Sequence, residues 1–210
     1  MTAERSRPAA EQERAAVVLP VKAFHDAKGR LAGELEPHER QALAVAMADR
    51  VVAAAAPLPV YVVADDPTVT RWARSVGATV VDPGRPGLDR AARAGVEAVR
   101  AAGFARVVIS HADLPLADDL VAVAAGDGVT LVTDRHGDGT NVLVLPTSIE
   151  FDFAYGPGSR ARHVAEAGRR GQPVELVSEG PLCWDVDVPE DLSATVRALL
   201  AASAERAAHG

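Results

Sequence analysis

Short apolar segments alternate with longer amphipathic stretches along most of this chain. Five apolar segments rich in β-branched residues are predicted to be strands, at 15–21, 58–63, 78–81, 105–110 and 129–133. The stretches between them predict helices at 37–55, 67–76, 88–102 and 116–124. Two of these helices begin at a proline and two are followed by a glycine, as helix ends commonly are. This alternation indicates a mostly parallel sheet with helices on both faces.

The pattern changes after Thr133. A loop rich in Gly and Asp precedes a predicted strand at 142–145, a glycine loop at 155–159, a helix and a strand at 174–178. The apolar segment 182–186 is expected to be a short strand, and Pro189 is expected to open an amphipathic helix that runs to about Ala201. The connections are short enough for all these elements to share one core.

Length and composition fit a single α/β domain. The 210 residues are 48% hydrophobic and 24% charged, which is enough for one compact core. We expect a single-domain three-layer sandwich over 15–203, a disordered N-terminal segment over 1–14 and a tail over 204–210.

Charge and cysteine content narrow the function classes. A formal net charge of −7 argues against a general nucleic-acid surface, which needs a basic patch to neutralise phosphates. Cys183 is the only cysteine, so no intrachain disulfide can form, and its apolar surroundings predict a buried thiol. The first residues lack an apolar signal segment, and no stretch reaches the roughly 18 apolar residues of a membrane span. We expect a cytoplasmic protein without membrane or nucleic-acid partners.

Two aspartates follow apolar segments in the middle and near the end of the chain. Asp113 comes just after the predicted strand 105–110, and Asp187 comes just after the segment 182–186. Ligands of open α/β sheets bind at the carboxyl ends of the strands, and Mg²⁺ typically takes one or two carboxylates together with substrate phosphates. Each aspartate alone could equally be a helix N-cap. Their joint occurrence favours a magnesium site for nucleotidyl transfer.

Three cations lie close together near the start of the chain. Lys22 ends the first predicted strand, and Lys28 and Arg30 follow in a loop before the first long helix. Lys and Arg at such a position can bind a triphosphate and stabilise the charge that develops on departing pyrophosphate. The alternative is an ordinary solvated loop. Neither GxxxxGK[ST] nor GxGxxG is present, so a Walker P-loop and a dinucleotide fingerprint are not indicated.

Taken in this order, these motifs resemble the CofC/FbiD guanylyltransferases of coenzyme F-420 biosynthesis. The resemblance covers residues 17–192, and it implies a nucleotide-diphospho-sugar transferase fold of the GT-A-like kind. The segments that carry it are Pro20-Val21-Lys22, Ala27-Lys28-Gly29-Arg30-Leu31, Pro86-Gly87-Leu88-Asp89, Ala112-Asp113-Leu114-Pro115-Leu116, Gly139-Thr140-Asn141, Tyr155-Gly156-Pro157-Gly158-Ser159 with His163, and Asp185-Val186-Asp187-Val188-Pro189-Glu190-Asp191-Leu192.

The resemblance implies an activity and a set of roles. Such enzymes transfer GMP from GTP to the phosphate of a small phosphorylated three-carbon acid, release pyrophosphate and hand the product to a downstream transferase. Asp113 and Asp187 are implied to hold Mg²⁺. The cations are implied to bind the GTP phosphates, with Gly87 and Leu88 near the nucleotide. The expected catalytic residues are Asp113, Asp187, Lys22 and Lys28, and the expected nucleotide-binding residues are Lys22, Lys28, Arg30, Gly87 and Leu88.

The chain departs from the family pattern at two positions. Asp89 stands where the family often has Asn, and Gly29 stands where it often has Thr. Asp89 could contact the nucleotide or be the N-cap of the helix that runs through Val99. We expect His111 to be a packed neighbour of the metal site rather than a ligand, and the role of Asp185 stays open.

The acceptor is expected to bind at the two glycine-containing loops of the second half. Thr140, Asn141, Gly156 and Ser159 are the predicted substrate-binding residues. Glycines let backbone amides approach an anion, and a helix that begins near Ser159 would direct free N–H groups at a phosphate or carboxylate. Arg160, Arg162 and His163 are expected to add positive charge. The alternative for this loop is a plain helix cap after a tight turn.

The acceptor itself is the least determined part of the prediction. Phosphoenolpyruvate, 2-phospho-L-lactate and 3-phosphoglycerate all join one phosphate to one carboxylate over three carbons. The Ala- and Arg-rich composition resembles that of actinobacterial family members associated with phosphoenolpyruvate, which would give enolpyruvoyl-2-diphospho-5'-guanosine. A molybdopterin or sugar nucleotidyltransferase usually has a glycine-rich first loop that this chain lacks. A nonenzymatic GTP-binding sensor is the alternative of another class, and a homodimer is an open option.

Overall fold

A seven-stranded sheet forms the centre of the structure, a computed structural model that describes residues 15–208. The predicted N-terminal segment 1–14 lies outside the described residues. Along the sheet the strands are ordered β3-β2-β1-β4-β6-β5-β7. The strands are β1 Ala15–Pro20, β2 Val60–Val63, β3 Thr79–Val81, β4 Arg106–Ser110, β5 Val129–Thr133, β6 Thr140–Pro146 and β7 Val174–Val177.

Helices cover both faces of this sheet. Four short 3-10 helices, Phe24–Asp26, Gly29–Leu31, Pro181–Cys183 and Pro189–Asp191, lie in the loops that follow β1 and β7. The α-helices are α1 Pro37–Ala54, α2 Pro67–Ser75, α3 Leu88–Ala101, α4 Leu120–Ala124, α5 Ser159–Arg169 and α6 Ala194–Ala208. The last helix therefore continues past residue 203, where the predicted tail begins.

The apolar residues of the strands divide between two cores. Val17 and Leu19 of β1 pack with residues of α1, α2 and α4 on one face. Ala16 and Val18 pack with residues of α3 and α5 on the other face. Successive side chains of a strand point to opposite faces, so a strand that is apolar throughout must be covered on both sides. The predicted three-layer α/β sandwich is confirmed.

The sheet is mostly parallel, with β6 as the exception. β6 runs antiparallel to both of its neighbours, β4 and β5. It begins at Thr140, two residues before the predicted strand. β1 lies between β2 and β4 and runs parallel to both. The residues that follow these three strands therefore meet at one edge of the sheet.

Three predictions about the chain after residue 110 are wrong. Segment 182–186 is not a strand, since Pro181–Cys183 forms a 3-10 turn, and α6 begins at Ala194 rather than at Pro189. The Asp191 carboxylate closes the turn before α6 by accepting the N–H groups of Asp187 and Val188, at 2.6 and 2.9 Å. Likewise α4 begins at Leu120 rather than at 116, because the Asp119 side chain caps it by accepting the Ala122 N–H.

Within the part of the chain that the structure describes, no helix combines the length and the apolar character that crossing a bilayer requires. Cys183 is buried and unpaired, as expected.

Candidate active site

An open cleft of about 560 Å³ runs along the carboxyl edge of β1, β2 and β4. It is large enough for a ligand of nucleotide size. The predicted nucleotide-binding residue Arg30 does not line the cleft, and its side chain is exposed on the second 3-10 turn. Six of the predicted site residues line the cleft together: Lys22, Lys28, Gly87, Leu88, Asp113 and Asp187.

Lys28 connects the two aspartates that sequence reasoning singled out. Its Nζ lies 2.6 Å from Oδ2 of Asp113 and 3.3 Å from Oδ1 of Asp187, and it also donates to the Val186 carbonyl at 2.5 Å. The Lys28 backbone is left-handed, with φ of 57°, which is uncommon outside glycine. The chain therefore places a single ammonium group between two carboxylates that are 74 residues apart in sequence.

Charge and burial act against each other at this contact. Burial disfavours the charged form of both Lys28 and Asp113. The attraction and hydrogen bond between them outweigh burial, so the pKa of Lys28 lies above its ordinary value and the pKa of Asp113 lies below. Both groups are therefore ionised at neutral pH, and Asp113 is available as an anionic ligand.

Asp185 is a third carboxylate at this site, and sequence reasoning left its role open. Burial and the negative charge of Asp113 raise the pKa of Asp185, and the charge of Asp187 adds to the effect. The Asn141 side-chain amide donates to Oδ1 of Asp185 at 3.5 Å and to the Leu182 carbonyl at 3.1 Å. Asn141, which was predicted to bind the acceptor, thus lies next to the acidic cluster.

The donor set fits a divalent cation that also binds phosphate. Oδ1 of Asp113 is buried and has no hydrogen-bond partner among the described residues, so one carboxylate oxygen is free for a ligand. Among residues 15–208, no three His, Cys, Asp or Glu side chains are arranged to hold a metal by themselves. Mg²⁺ needs no such cage, because it typically takes one or two carboxylates and completes its shell with phosphates and water.

Asp191 and Arg135 hold Asp187 in place. The Asp191 carboxylate is buried and accepts the Asp187 backbone N–H, and the Arg135 guanidinium forms an ion pair with it. Arg135 also lies over the Trp184 ring, with 5.1 Å between the guanidinium carbon and the ring centroid. Sequence reasoning missed these supports. The available signal was the acidic residue three positions after Val188 with a proline between them, since a side chain at the third position of a helical turn can reach back to the N–H of the N-cap.

Helix α3 begins at the Gly87-Leu88 loop, which lines the cleft. Gly87 has φ of 126° and is the N-cap of α3, a conformation that other residues rarely adopt. The suggestion that Asp89 caps this helix is wrong, since Gly87 occupies the cap position. The Asp89 carboxylate instead accepts the Tyr155 backbone N–H at 2.8 Å and so joins α3 to the second glycine loop.

The predicted acceptor residues form a separate, partly buried network. Thr140 and Ser159 are each 1% exposed, and the Ser159 hydroxyl donates to the Thr140 hydroxyl at 3.3 Å. Nδ1 of His163 lies 3.0 Å from Oγ1 of Thr140, and Nε2 of His163 accepts the Ala154 N–H at 3.1 Å. These hydrogen bonds hold the glycine loop 155–159 on its buried side, and its tip at Gly156 is exposed.

The expected positive charge on this loop is only partly present. Burial lowers the pKa of His163 to about 4, so the expectation that His163 carries charge at neutral pH is wrong. The Arg162 guanidinium is held inside the loop, where it donates to the Ala154 and Pro157 carbonyls at 2.9 and 2.7 Å. The Asp138 carboxylate accepts the Gly158 N–H at 2.7 Å, so the start of α5 already has an anionic partner.

His111 lies between the acidic cluster and this loop. Its Nδ1 is 3.9 Å from Oδ1 of Asp113, and its ring packs on Tyr155 with 5.6 Å between centroids. Its Nε2 and the Tyr155 hydroxyl are buried without hydrogen-bond partners among the described residues. Unpaired buried polar atoms cost roughly 1–3 kcal/mol each, so this region is suited to a polar ligand or ordered water.

Comparison with known protein families shows which family this chain belongs to. The family described as "Guanylyl transferase CofC like" matches residues 15–198. The chain belongs to this family. The matched residues include β1, Lys22, Lys28, Asp113 and the segment from Asp185 to Asp187, so the family assignment made from the sequence motifs is confirmed.

Curated CofC-like relatives match over most of their length. A protein named phosphoenolpyruvate guanylyltransferase from Conexibacter woesei is 40% identical over 204 residues, which cover 91% of this chain and 91% of that protein. Relatives with the same name from Mycobacterium sp. (strain KMS) and Thermomonospora curvata are 39% and 41% identical, cover 87% and 86% of this chain, and are themselves covered to 86% and 82%.

Solved structures support the fold of this CofC-like protein. A Desulfovibrio desulfuricans G20 protein described as a nucleotide-diphospho-sugar transferase has a TM-score of 0.73, 15% identity and coverage of 92% of this chain and 96% of that one. A nucleotidyl transferase from Methanothermobacter thermautotroptrophicus has a TM-score of 0.63, 17% identity and coverage of 90% and 99%. Glucosyl-3-phosphoglycerate synthase from Mycobacterium tuberculosis, in complex with Mn²⁺ and UDP, has a TM-score of 0.53, 16% identity and coverage of 97% and 86%. The predicted nucleotide-diphospho-sugar transferase fold is confirmed.

Proposed function

We propose that this guanylyl transferase moves GMP from GTP to the phosphate of phosphoenolpyruvate and releases pyrophosphate. The observation that carries the proposal is the contact of Lys28 with Asp113 and Asp187 inside a nucleotide-sized cleft. It brings together the charges that phosphoryl chemistry requires. The names of the curated relatives support phosphoenolpyruvate as the acceptor.

The reaction needs no side-chain nucleophile. A phosphate monoester carries about −1.5 to −2 charges at neutral pH, so one of its oxygens can attack directly. That oxygen forms a bond to the α-phosphorus of GTP, and the bond from this phosphorus to the β-phosphate oxygen breaks. Pyrophosphate leaves with the electron pair. Lys22 and Lys28 bind the phosphates and neutralise the charge on the departing group.

We further propose that Asp113 and Asp187 hold Mg²⁺. The free Oδ1 of Asp113 and the exposed carboxylate of Asp187 supply oxygen ligands, which hard divalent ions prefer. The Mn²⁺ in the structurally similar glucosyl-3-phosphoglycerate synthase supports the use of a divalent ion. When bound, such an ion polarises the phosphoryl group and neutralises charge on the triphosphate. Lys28 would exchange part of its contact with the carboxylates for contact with the phosphates.

The acceptor is proposed to bind on the other side of Asp113 from the nucleotide, at Thr140, Asn141, Gly156 and Ser159. Asn141 lies beside the acidic cluster, where the reacting phosphate must lie. Gly156 forms the exposed tip of the loop, and the buried hydroxyls of Thr140 and Ser159 hold that loop against β6. In this arrangement the loop supplies shape and backbone amides more than it supplies charge.

Pyrophosphate release tests the proposal. GTP and magnesium are supplied with phosphoenolpyruvate, 2-phospho-L-lactate or 3-phosphoglycerate in separate reactions, with pyrophosphatase to draw the reaction forward. Release with phosphoenolpyruvate, well above the other two acceptors, is the expected result. Silence with all three despite GTP binding would contradict the proposal and favour a nonenzymatic sensor. Addition of the downstream transferase of coenzyme F-420 biosynthesis traps an unstable product.

A further inference from the structure

The cleft has two chemically different ends. The carboxylates and Lys28 lie at the end of β4, while the far end lies beyond β1, where β2 and β3 end. Neighbouring strands are about 4.8 Å apart, so these ends are separated by roughly 10 Å, which suits a nucleotide that lies across the strands. The far end is lined mainly by apolar residues, among them Pro83, Pro86 and Leu88. A purine ring would pack against such a surface.

One carboxylate faces this apolar end. Asp65 lies two residues after the end of β2, is exposed, and lines the cleft. Its neighbour Asp66 is already used, because its side chain caps α2 by accepting the N–H groups of Thr68 and Val69 at 2.8 and 2.9 Å. Within residues 15–208, no hydrogen bond or ion pair engages the Asp65 carboxylate. Both of its oxygens are free to accept hydrogen bonds from a ligand.

The chemistry of a free carboxylate selects among the bases. Guanine presents two adjacent donors, N1–H and the 2-amino group, which match the two oxygens of a carboxylate. Adenine and cytosine place an unprotonated ring nitrogen beside their amino group, and uracil places its single N–H between two carbonyls. Each of these would set an acceptor against a negative oxygen. A carboxylate at the base end therefore favours guanine.

We infer that Asp65 is the residue that selects guanine, by accepting hydrogen bonds from N1–H and the 2-amino group of GTP. The inference rests on the proposed use of GTP. Asp26, another exposed aspartate that lines the cleft and has no assigned part in the reaction, lies 3.5 Å from the His25 ring and belongs to the turn after β1 rather than to the base end. It offers a matched control, because its replacement removes the same charge from the same cleft.

Nucleotide binding without acceptor tests the inference, since it does not depend on which acid receives GMP. Calorimetry compares GTP with xanthosine triphosphate, whose base has a carbonyl in place of the 2-amino group. The original chain should prefer GTP. In Asp65→Asn, GTP loses the acceptor for its 2-amino group, and xanthosine triphosphate gains an amide N–H for its carbonyl. One lost and one gained hydrogen bond, at roughly 1.4 kcal/mol each, should lower the ratio of GTP to xanthosine triphosphate affinity by about 100-fold.

The outcomes separate the inference from the proposed function. Asp26→Asn should leave the ratio unchanged, and circular dichroism should show both variants folded, because both side chains are exposed. An unchanged ratio in Asp65→Asn would overturn the role of Asp65, even if GMP transfer to phosphoenolpyruvate is observed. A change of preference from GTP to xanthosine triphosphate in Asp65→Asn would support the role of Asp65. This holds even if no acceptor gives pyrophosphate release and the proposed reaction is wrong.

Discussion

Acid should weaken the fold through His163, which is buried under the second glycine loop. Nε2 of His163 accepts the Ala154 N–H, and this is possible only while that nitrogen is unprotonated. Burial lowers the pKa of His163 to about 4 from its ordinary 6.5, with nearby Arg162 adding to the effect and Asp89 opposing it. The unfolded chain therefore binds a proton between these two pH values and the folded chain does not.

The sign and size of the effect follow from this difference. Stability rises with pH wherever the unfolded state binds more protons, so it is lost as pH falls from about 6.5 towards about 4. Each pH unit in this window corresponds to about 1.4 kcal/mol, which gives a total near 3 kcal/mol. About 2 kcal/mol of this should be lost between pH 7 and pH 5.

Urea unfolding of the original chain and of His163→Gln at several pH values isolates this contribution. A glutamine side chain can accept the Ala154 N–H through its amide oxygen, and it does not titrate. The variant should lose roughly 2 kcal/mol less stability than the original chain between pH 7 and pH 5. Carboxylates that titrate in the same range affect both proteins equally. Parallel losses in the two proteins would refute a neutral, proton-excluding His163.

Five further substitutions, two of which are controls, probe the site and its scaffold. Asp113→Asn should abolish turnover and leave the melting curve cooperative, and substantial magnesium-dependent activity in it would remove Asp113 from the metal site. Lys28→Ala should weaken GTP binding by about 10- to 100-fold in calorimetry, whereas Arg30→Ala, outside the cleft, should have a smaller effect; equal losses would contradict this geometry. Gly95→Ala would put a methyl 2.3 Å from a valine methyl of β1 and should cost about 1–3 kcal/mol in urea unfolding. Gly168→Ala, with open space around it, should stabilise by roughly 0.5–1 kcal/mol, and a neutral Gly95→Ala would mean that α3 can shift on the sheet.

The parts of the fold predicted best from the sequence were those set by local patterns. Strands 15–21 and 105–110 were recognised because both of their faces are apolar, and α1 and α2 were recognised by their proline starts. The direction of β6 was not predictable in this way. A strand buried on both faces reads the same whether its neighbours run parallel or antiparallel, so only the long-range pairing determines it.

The site residues likewise divide into those that local sequence identifies and those that depend on contacts between distant segments. Asp113 was identifiable because it follows a buried strand, and Lys28 because it lies in a short cationic loop after the first strand. Asp187 was identified from an apolar segment before it, although that segment is not a strand in the structure. The link from Asp89 to the Tyr155 N–H and the hold of Asp191 on Asp187 depend on how loops meet in space. The neutral state of His163 depends on its burial, and a histidine in a loop-helix motif carries no sign of that in sequence.

The central claim is that this cleft transfers GMP, and the fate of the α-phosphate tests it most directly. The protein is incubated with magnesium, phosphoenolpyruvate and GTP labelled at its α-phosphate. The account predicts that the label moves into a guanosine diphosphate conjugate of the acceptor and that the released pyrophosphate is unlabelled. The Asp187→Asn variant should form no labelled conjugate and release no pyrophosphate. GTP that binds but keeps its label in the triphosphate, or label that appears only in free GMP, would contradict it.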